Sequence, residues 1–337
     1  MKKQIHLIIL SVLIVSSCNI QKERELEVLT LTKKSAHFDF GDGIFFTRIN
    51  SIRILPDSYI FLDRHINKIF KTNKNFELIE EFLTVGDGPF EVRSIIKISN
   101  IDPTNNSFAV HDIRKKSFLI MSSSGEKLNY ITLKNTRLSD GNFSYYNGKL
   151  ILDPISSEFS EQSAVLHINK EGKAEQVWKG NLSFPETTNY VTRDMFKVEG
   201  KFLRIARENF PSYEVFDDNG EVLFTGDLSG YDIFQSAIDK FKELGPTNQL
   251  LSVGVINEIV VVGNQIFIQY MHFFENGNSL TKDLAVFELD KGNSLQLTKL
   301  IYFQNEGISY YSFGTDGKEL LMYSAESGAI DVYELED

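Results

Sequence analysis

The 337-residue chain is 42% apolar and 12% aromatic, enough to bury a sizeable core, which excludes disorder for the bulk of it. Its formal net charge is −11, and it holds no Lys/Arg-rich run or basic stripe interleaved with aromatics, which argues against nucleic acid as a partner. The single cysteine excludes an internal disulfide, and 27 Phe with 13 Tyr, beside few helix-period runs, point to a β-rich fold.

At the start of the chain Lys2-Lys3 form a positive n-region. His6 to Val15 is apolar apart from His6 and Ser11, far too short a run to span a bilayer. It ends in Val15-Ser16-Ser17-Cys18, which resembles the lipobox of bacterial lipoproteins: a branched apolar residue, two small residues, then the cysteine that is acylated. This predicts a signal peptide over 1–17, lipidation of Cys18, a polar tether over 18–25 and one domain over 26–337. The mature chain would carry −13, from 33 basic and 46 acidic residues. A lone cysteine is most often a small buried hydrophobe, but its place behind a signal-peptide core favours lipid. Each buried methylene contributes roughly 0.8 kcal/mol, so two or three acyl chains anchor durably in a membrane. Asn19 stands where some enteric lipoproteins carry an inner-membrane retention aspartate, so outer-membrane sorting is expected. Gln21-Lys22-Glu23 resembles a charged surface-export signal and reads equally as a solvated linker, which leaves the periplasmic or surface side open.

Beyond the tether a unit recurs: a short apolar strand ending in a polar residue, a turn, a second strand, an Asn/Gly/Asp/Lys turn and a third strand. The copies start near residues 59, 108, 150, 202, 266 and 320, and each is preceded by another apolar segment, such as Ile49 to Leu55. Four strands at this spacing predict an all-β, six-bladed β-propeller, with the exact blade boundaries in 135–265 left open. The sixth copy lacks its outer strand, while Leu26 to Thr32 alternates as a strand without a blade of its own. The N-terminal strand is therefore expected to close the last blade, which removes exposed edges. Between copies four and five, apolar residues at 234, 237, 238, 241 and 244 have a helical period and stop at Gly245-Pro246, predicting an inserted helix over 231–244. Packing on the propeller is its plain role and docking a partner the alternative.

Where the first copy ends, Gly86-Asp87-Gly88-Pro89-Phe90-Glu91 resembles the Gly-x-Gly-Pro-Gly-Glu-Phe signature of six-bladed, TolB-like or NHL-like propeller lipoproteins. The resemblance covers the signal, the lipobox and the first two blades. It departs at Phe90, Glu91 and Val92, where the family has a second glycine and then Glu-Phe. It implies the fold more than a function. As a phosphate cradle the turn lacks the following Lys-Ser/Thr, and Pro89 has no N–H to donate, so a turn passing from an outer strand to the next blade is the reading.

In such a propeller the second-to-third strand turns and the blade-to-blade connections share one face. That face collects Asp63, Arg64, His65, Asn67, Asp87, His111, Asp112, Arg114, Asp153, Arg207, Glu208, Asn209, His272 and Glu275. The candidate ligand-binding residues are Arg64, His65, His111, Asp112, Arg114, Arg207 and His272, near the mouth of the central channel. Against this, Asp and Asn at strand ends commonly serve only to cap turns. No His-x-His, His-Glu-x-x-His, Asp-x-Asp-x-Asp-Gly or Gly-x-Ser-x-Gly pattern occurs, so no catalytic residue and no cofactor is assigned, and a divalent metal has no motif behind it. The expectation is an envelope-anchored binding module for a protein, peptide or glycan, joined to the membrane by its lipid. The alternative is a metal-assisted hydrolase, lactonase or lyase at the channel mouth. A third reading is a structural part of an envelope assembly.

Overall fold

The computed structural model describes residues 26–41, 43–133, 143–153, 164–180, 192–244, 253–274, 279–304 and 307–335. The signal segment 1–17, Cys18, the tether and Glu275 lie outside them.

The chain opens with two short strands, β1 (Glu27–Leu31) and β2 (Ser35–His37). Blade one is β3 (Ile49–Ile54), β4 (Ser58–Asp63), β5 (Lys68–Asn73) and β6 (Leu78–Glu81), and blade two is β7 (Ile95–Ile98), β8 (Ser107–Asp112), β9 (Ser117–Ser122) and β10 (Lys127–Thr132). Blade three holds β11 (Phe143–Tyr146), β12 (Lys149–Leu152), β13 (Ala164–Ile168) and β14 (Ala174–Lys179). In blade four run β15 (Arg193–Val198), β16 (Lys201–Ala206), β17 (Ser212–Phe216) and β18 (Val222–Asp227). A helical turn (Asp232–Phe234) and α1 (Gln235–Leu244) follow, where the sequence period placed a helix. Blade five is β19 (Ile256–Val262), β20 (Gln265–Phe273), β21 (Ser279–Leu289) and β22 (Leu295–Phe303); blade six is β23 (Ser312–Thr315), β24 (Glu319–Ser324) and β25 (Ala329–Glu334). All pairings inside the blades are antiparallel, and neighbouring innermost strands meet around the centre, β23 beside β3, β15 beside β19 and β19 beside β23. This is the six-bladed propeller that the repeat predicted.

The second strands of blades one and two read as apolar runs because they are covered on both faces. Ser58–Asp63 and Ser107–Asp112 are buried at every residue. Each seam between blades has its own core. Ile60, Leu62 and Ile69 of blade one meet Phe108, Val110 and Leu119 of blade two, and Phe61 and Phe70 meet Leu321 and Tyr323 of blade six. Doubly covered strands lose the alternation that marks a half-exposed sheet. Helix α1 joins the seam between blades four and five through Ala237 and Ile238, with Phe234 of the preceding turn buried beside them. The Phe273 amide donates to its Ser236 hydroxyl (3.3 Å).

Blade six is closed from the N-terminus, but by β2, which lies antiparallel to β25 with Ala36 opposite Asp331. The expected closing segment, Leu26 to Thr32, instead supplies β1, a fifth strand laid parallel to β22 from Glu27 opposite Lys299 to Leu31 opposite Phe303. The physical reason lies in Lys33 and Lys34. Lys33 reaches Asp331 (3.2 Å) and the Lys34 amide donates to the Val332 carbonyl (2.9 Å), so the chain enters blade six only after them. The alternation of Leu26 to Thr32 serves either slot, and on blade five it half-buries Leu29 and Leu31.

Candidate binding face

Antiparallel order sends the second-to-third strand turns and the blade-to-blade connections to one face. In blades one and two an aspartate at the end of the second strand fixes them. Asp63 accepts from the amides of Thr47 (2.8 Å), Arg48 (3.2 Å) and His65 (3.1 Å) and from the Thr47 hydroxyl (2.6 Å). Asp112 accepts from the amides of Arg93 (2.6 Å), Ser94 (3.2 Å), Arg114 (3.1 Å) and Lys115 (3.2 Å). Each buried carboxylate ties its turn to the chain entering the innermost strand of the same blade, and such charge-assisted bonds are strong.

The Gly-x-Gly-Pro-x-Glu turn is built the same way. Glu91 folds back to accept the Gly88 amide (2.6 Å), and Lys115 donates to the carbonyls of Gly88 (2.9 Å) and Glu91 (2.8 Å). A Cβ at Gly86 would run into the Glu91 carboxylate, so the glycine makes room for that acid. The turn is a fastened corner.

At the centre, charged residues from several blades fill the channel. Lys97 of β7 reaches across to Asp194 of β15 (2.9 Å), and Arg207 pairs with the other Asp194 oxygen (3.0 Å) while donating to the Ile256 carbonyl (3.2 Å). Burial disfavours the Asp194 charge, but Lys97 and Arg207 outweigh it and hold the carboxyl below its ordinary value. Arg53 of β3 is buried and donates to the carbonyls of Ser99 (3.0 Å), Ile52 (2.8 Å) and Ile98 (2.9 Å). Burial lowers its pKa, with Glu258 and Asp194 partly restoring the charge. The free space among Arg53, Lys97, Ser144 and Asp194 is about 10 Å³, room for about one water. Among the described residues the channel is plugged at this level.

The candidate residues divide into three groups. Arg64, His65 and Arg114 lie at the surface of the turns of blades one and two, His65 and Arg114 exposed and Arg64 partly so. Arg207 stands at the channel, engaged with Asp194, and His272 sits on blade five, partly exposed, with Nε2 3.3 Å from Asp283. His111 and Asp112 are buried within blade two. His111 is 2% exposed and stacks on Phe118 with ring centroids 4.6 Å apart, and burial pushes its pKa down to about 4. Asp112 gives its oxygens to the backbone.

Of the other strand-end acids and amides, Asp153 is buried between Arg193 (3.1 Å) and Arg204 (3.6 Å), with Arg204 also bonded to Glu214, and burial raises its pKa despite the two arginines. Asn209 accepts the Val253 amide (2.9 Å), and the Thr192 hydroxyl donates to Glu208 (2.6 Å). Among the described residues no three His, Cys, Asp or Glu side chains gather to hold a metal ion. Sequence reasoning passed over Arg53, Lys97 and Asp194, whose signal is a charge set inside an apolar innermost strand, as in Ile95-Ile96-Lys97-Ile98.

No family model matches the chain, and no curated protein matches it in sequence. Its fold is similar to that of a DUF4221 family member from Bacteroides vulgatus, at 10% identity over 90% of this chain and 97% of that one, with a TM-score of 0.57. A Bacteroides fragilis protein described as exported is 13% identical over 91% of this chain and 98% of its own, with a TM-score of 0.52. Hydrazine synthase of Kuenenia stuttgartiensis is 9% identical over 86% and 77%, with a TM-score of 0.50. At these identities the likeness is one of fold.

Proposed function

We propose that this chain is an outer-membrane-anchored lipoprotein, held by a lipid on Cys18, whose propeller is a non-catalytic binding module for a protein, peptide or glycan. The observation that carries the reading is a plugged channel beneath fastened turns. With Asp194, Lys97, Arg207 and Arg53 filling the centre, the described residues form a platform and no tunnel for a substrate. Turns held by Asp63 and Asp112 present Arg64, His65 and Arg114 with little ordering left to lose when a partner docks. The hydrolase, lactonase or lyase alternative needs a convergent donor set, which the described residues do not supply.

The test is photo-crosslinking in cells, with a benzophenone amino acid placed at Ile113 or Phe274 on this face or at Lys170 on the opposite one. Partner adducts from the first two positions alone are expected. Adducts only from Lys170 would sink the proposal. Loss of a metabolic acyl label in Cys18→Ser tests the anchor separately.

A further inference from the structure

We infer that the occupied part of this face is the sector over blades one and two, and that its occupant is an acidic protein segment with interspersed apolar side chains. The inference rests on the binding-module reading and narrows it to one surface and one partner chemistry.

The sector is a continuous strip. The Arg64 amide donates to the Arg48 carbonyl (2.9 Å), the Ile95 amide to the Asn67 side chain (2.8 Å) and the Ile113 amide to the Ser94 carbonyl (3.0 Å), while Lys115 ties the second turn of blade two to the Gly88 corner. Six cations lie along it: Arg48, Arg64, Arg93, Arg114, Lys115 and Lys116. Among the described residues its acids are spent. Asp63 and Asp112 are buried on backbone amides, Glu91 is folded onto Gly88, and Asp87 is bonded to Arg93.

Arg48 meets the Tyr311 hydroxyl (2.8 Å) and Lys115 meets carbonyls, both neutral acceptors, and among the described residues Arg114 and Lys116 have no carboxylate partner. Arg48, Arg114, Lys115 and Lys116 thus stand in this sector without a carboxylate partner among the described residues, in a chain of net charge −11. Forked guanidinium groups suit carboxylates, and complementary charge speeds encounter and fixes register.

Apolar side chains stand among the cations. Val85 is 53% exposed, Phe90 40% and Ile113 38%. A purely electrostatic site would not need them. A segment carrying Asp or Glu between apolar residues satisfies both features. An anionic bilayer also offers both chemistries, but a plane of charge meets the whole acidic molecule, whereas a short segment engages only the sector within a Debye length of about 8 Å. Across the face, Asp239 and Glu243 of α1 pair with its own Lys242 (3.6 Å) and Lys240 (3.0 Å), so the described residues of the helix offer no comparable excess.

The experiment selects a random peptide library on the full-length lipoprotein and on Arg114→Glu/Lys116→Glu, with Asp239→Lys as a control on the same face. Expected are peptides rich in Asp or Glu and apolar residues, binding at least tenfold more weakly to the double reversal, unchanged by Asp239→Lys and weakened by salt. Should the reversal lower the melting temperature, Arg114→Ala/Lys116→Ala replaces it. No enrichment, or enrichment of neutral or basic peptides, overturns the inference. So does sedimentation with phosphatidylglycerol vesicles that the same reversal abolishes, since the ligand is then a bilayer. Crosslinks from Phe274 but not Ile113 would overturn this sector and spare the binding module; their absence from both would remove both.

Discussion

His111 makes the propeller acid-sensitive by an amount that follows from its surroundings. The ring is 2% exposed, stacked on Phe118 and edge-on to Phe143 at 5.6 Å, and its Nδ1 has no hydrogen-bond partner, so only the Asp112 charge offsets the burial of the protonated form. Its pKa falls from 6.5 to about 4, with burial the main cause and Asp112 opposing it. Because the folded value is depressed, the unfolded chain takes up the proton first as pH falls. The stabilisation is complete above pH 6.5 and is lost between there and about pH 4. Linkage with these two values gives a loss of about 2 kcal/mol at about pH 5 and about 3 kcal/mol once both states are protonated. The assay is denaturant unfolding of the wild type and of His111→Phe, which keeps an aromatic ring on Phe118, at about pH 7.5 and about pH 5. The variant is expected to lose about 2 kcal/mol less over that interval. Equal losses in the two proteins would refute the account, since the ring would then not be a buried neutral imidazole.

Other perturbations probe other parts of the molecule. His167, 4% exposed beside Trp178 at 3.8 Å and also lowered to about 4 by burial, adds to the same acid loss, so His167→Phe should flatten the pH profile further in the double variant. Removing Glu214 leaves Arg204, at 0% exposure, with Asp153 as its remaining carboxylate, and Glu214→Leu should cost about 1–3 kcal/mol in unfolding experiments, with Arg204→Met/Glu214→Leu recovering much of it. A loss below about 1 kcal/mol would show the pair to be solvated. Asp112→Ala leaves four backbone amides without their acceptor, and hydrogen exchange at Arg93, Ser94, Arg114 and Lys115 should rise together, where an unchanged rate would contradict the fastening. Deleting residues 26–34 uncovers the β22 edge and should cause concentration-dependent association visible by light scattering, and a monomeric product would show that β1 protects nothing.

Blade order was legible because the second strands, buried on both faces, leave apolar runs such as Tyr59-Ile60-Phe61-Leu62 that end in Asp63, and because turns such as Asp218-Asn219-Gly220 separate the outer strands. The helix was legible from Phe234, Ala237, Ile238 and Phe241, which turn toward blade five. The assignment of β1 and β2 was not, since alternation fixes which side chains face inward and says nothing of which blade they meet; Lys33 and Asp331 decide it across 298 positions of sequence. The burial of His111 and Asp112 was not legible, because a polar pair at a strand end looks the same whether it points to solvent or into a seam, and only the neighbouring Phe118 and the incoming Arg93 and Ser94 amides distinguish the two. The channel plug was hidden for a similar reason. Lys97, Asp194 and Arg207 lie up to 110 positions apart, and nothing local marks them as partners.

The placement of β1 has a mechanical consequence. The strand is paired over five consecutive positions, Glu27 with Lys299 through Leu31 with Phe303, and the next few residues continue into β2 on the neighbouring blade. A pull applied at Glu27 along the strand loads those pairs together, in shear, where a strand meeting its neighbour only at its tip would unzip one bond at a time. The N-terminal chain therefore straps blade five to blade six and resists tension at the seam where the ring begins and ends.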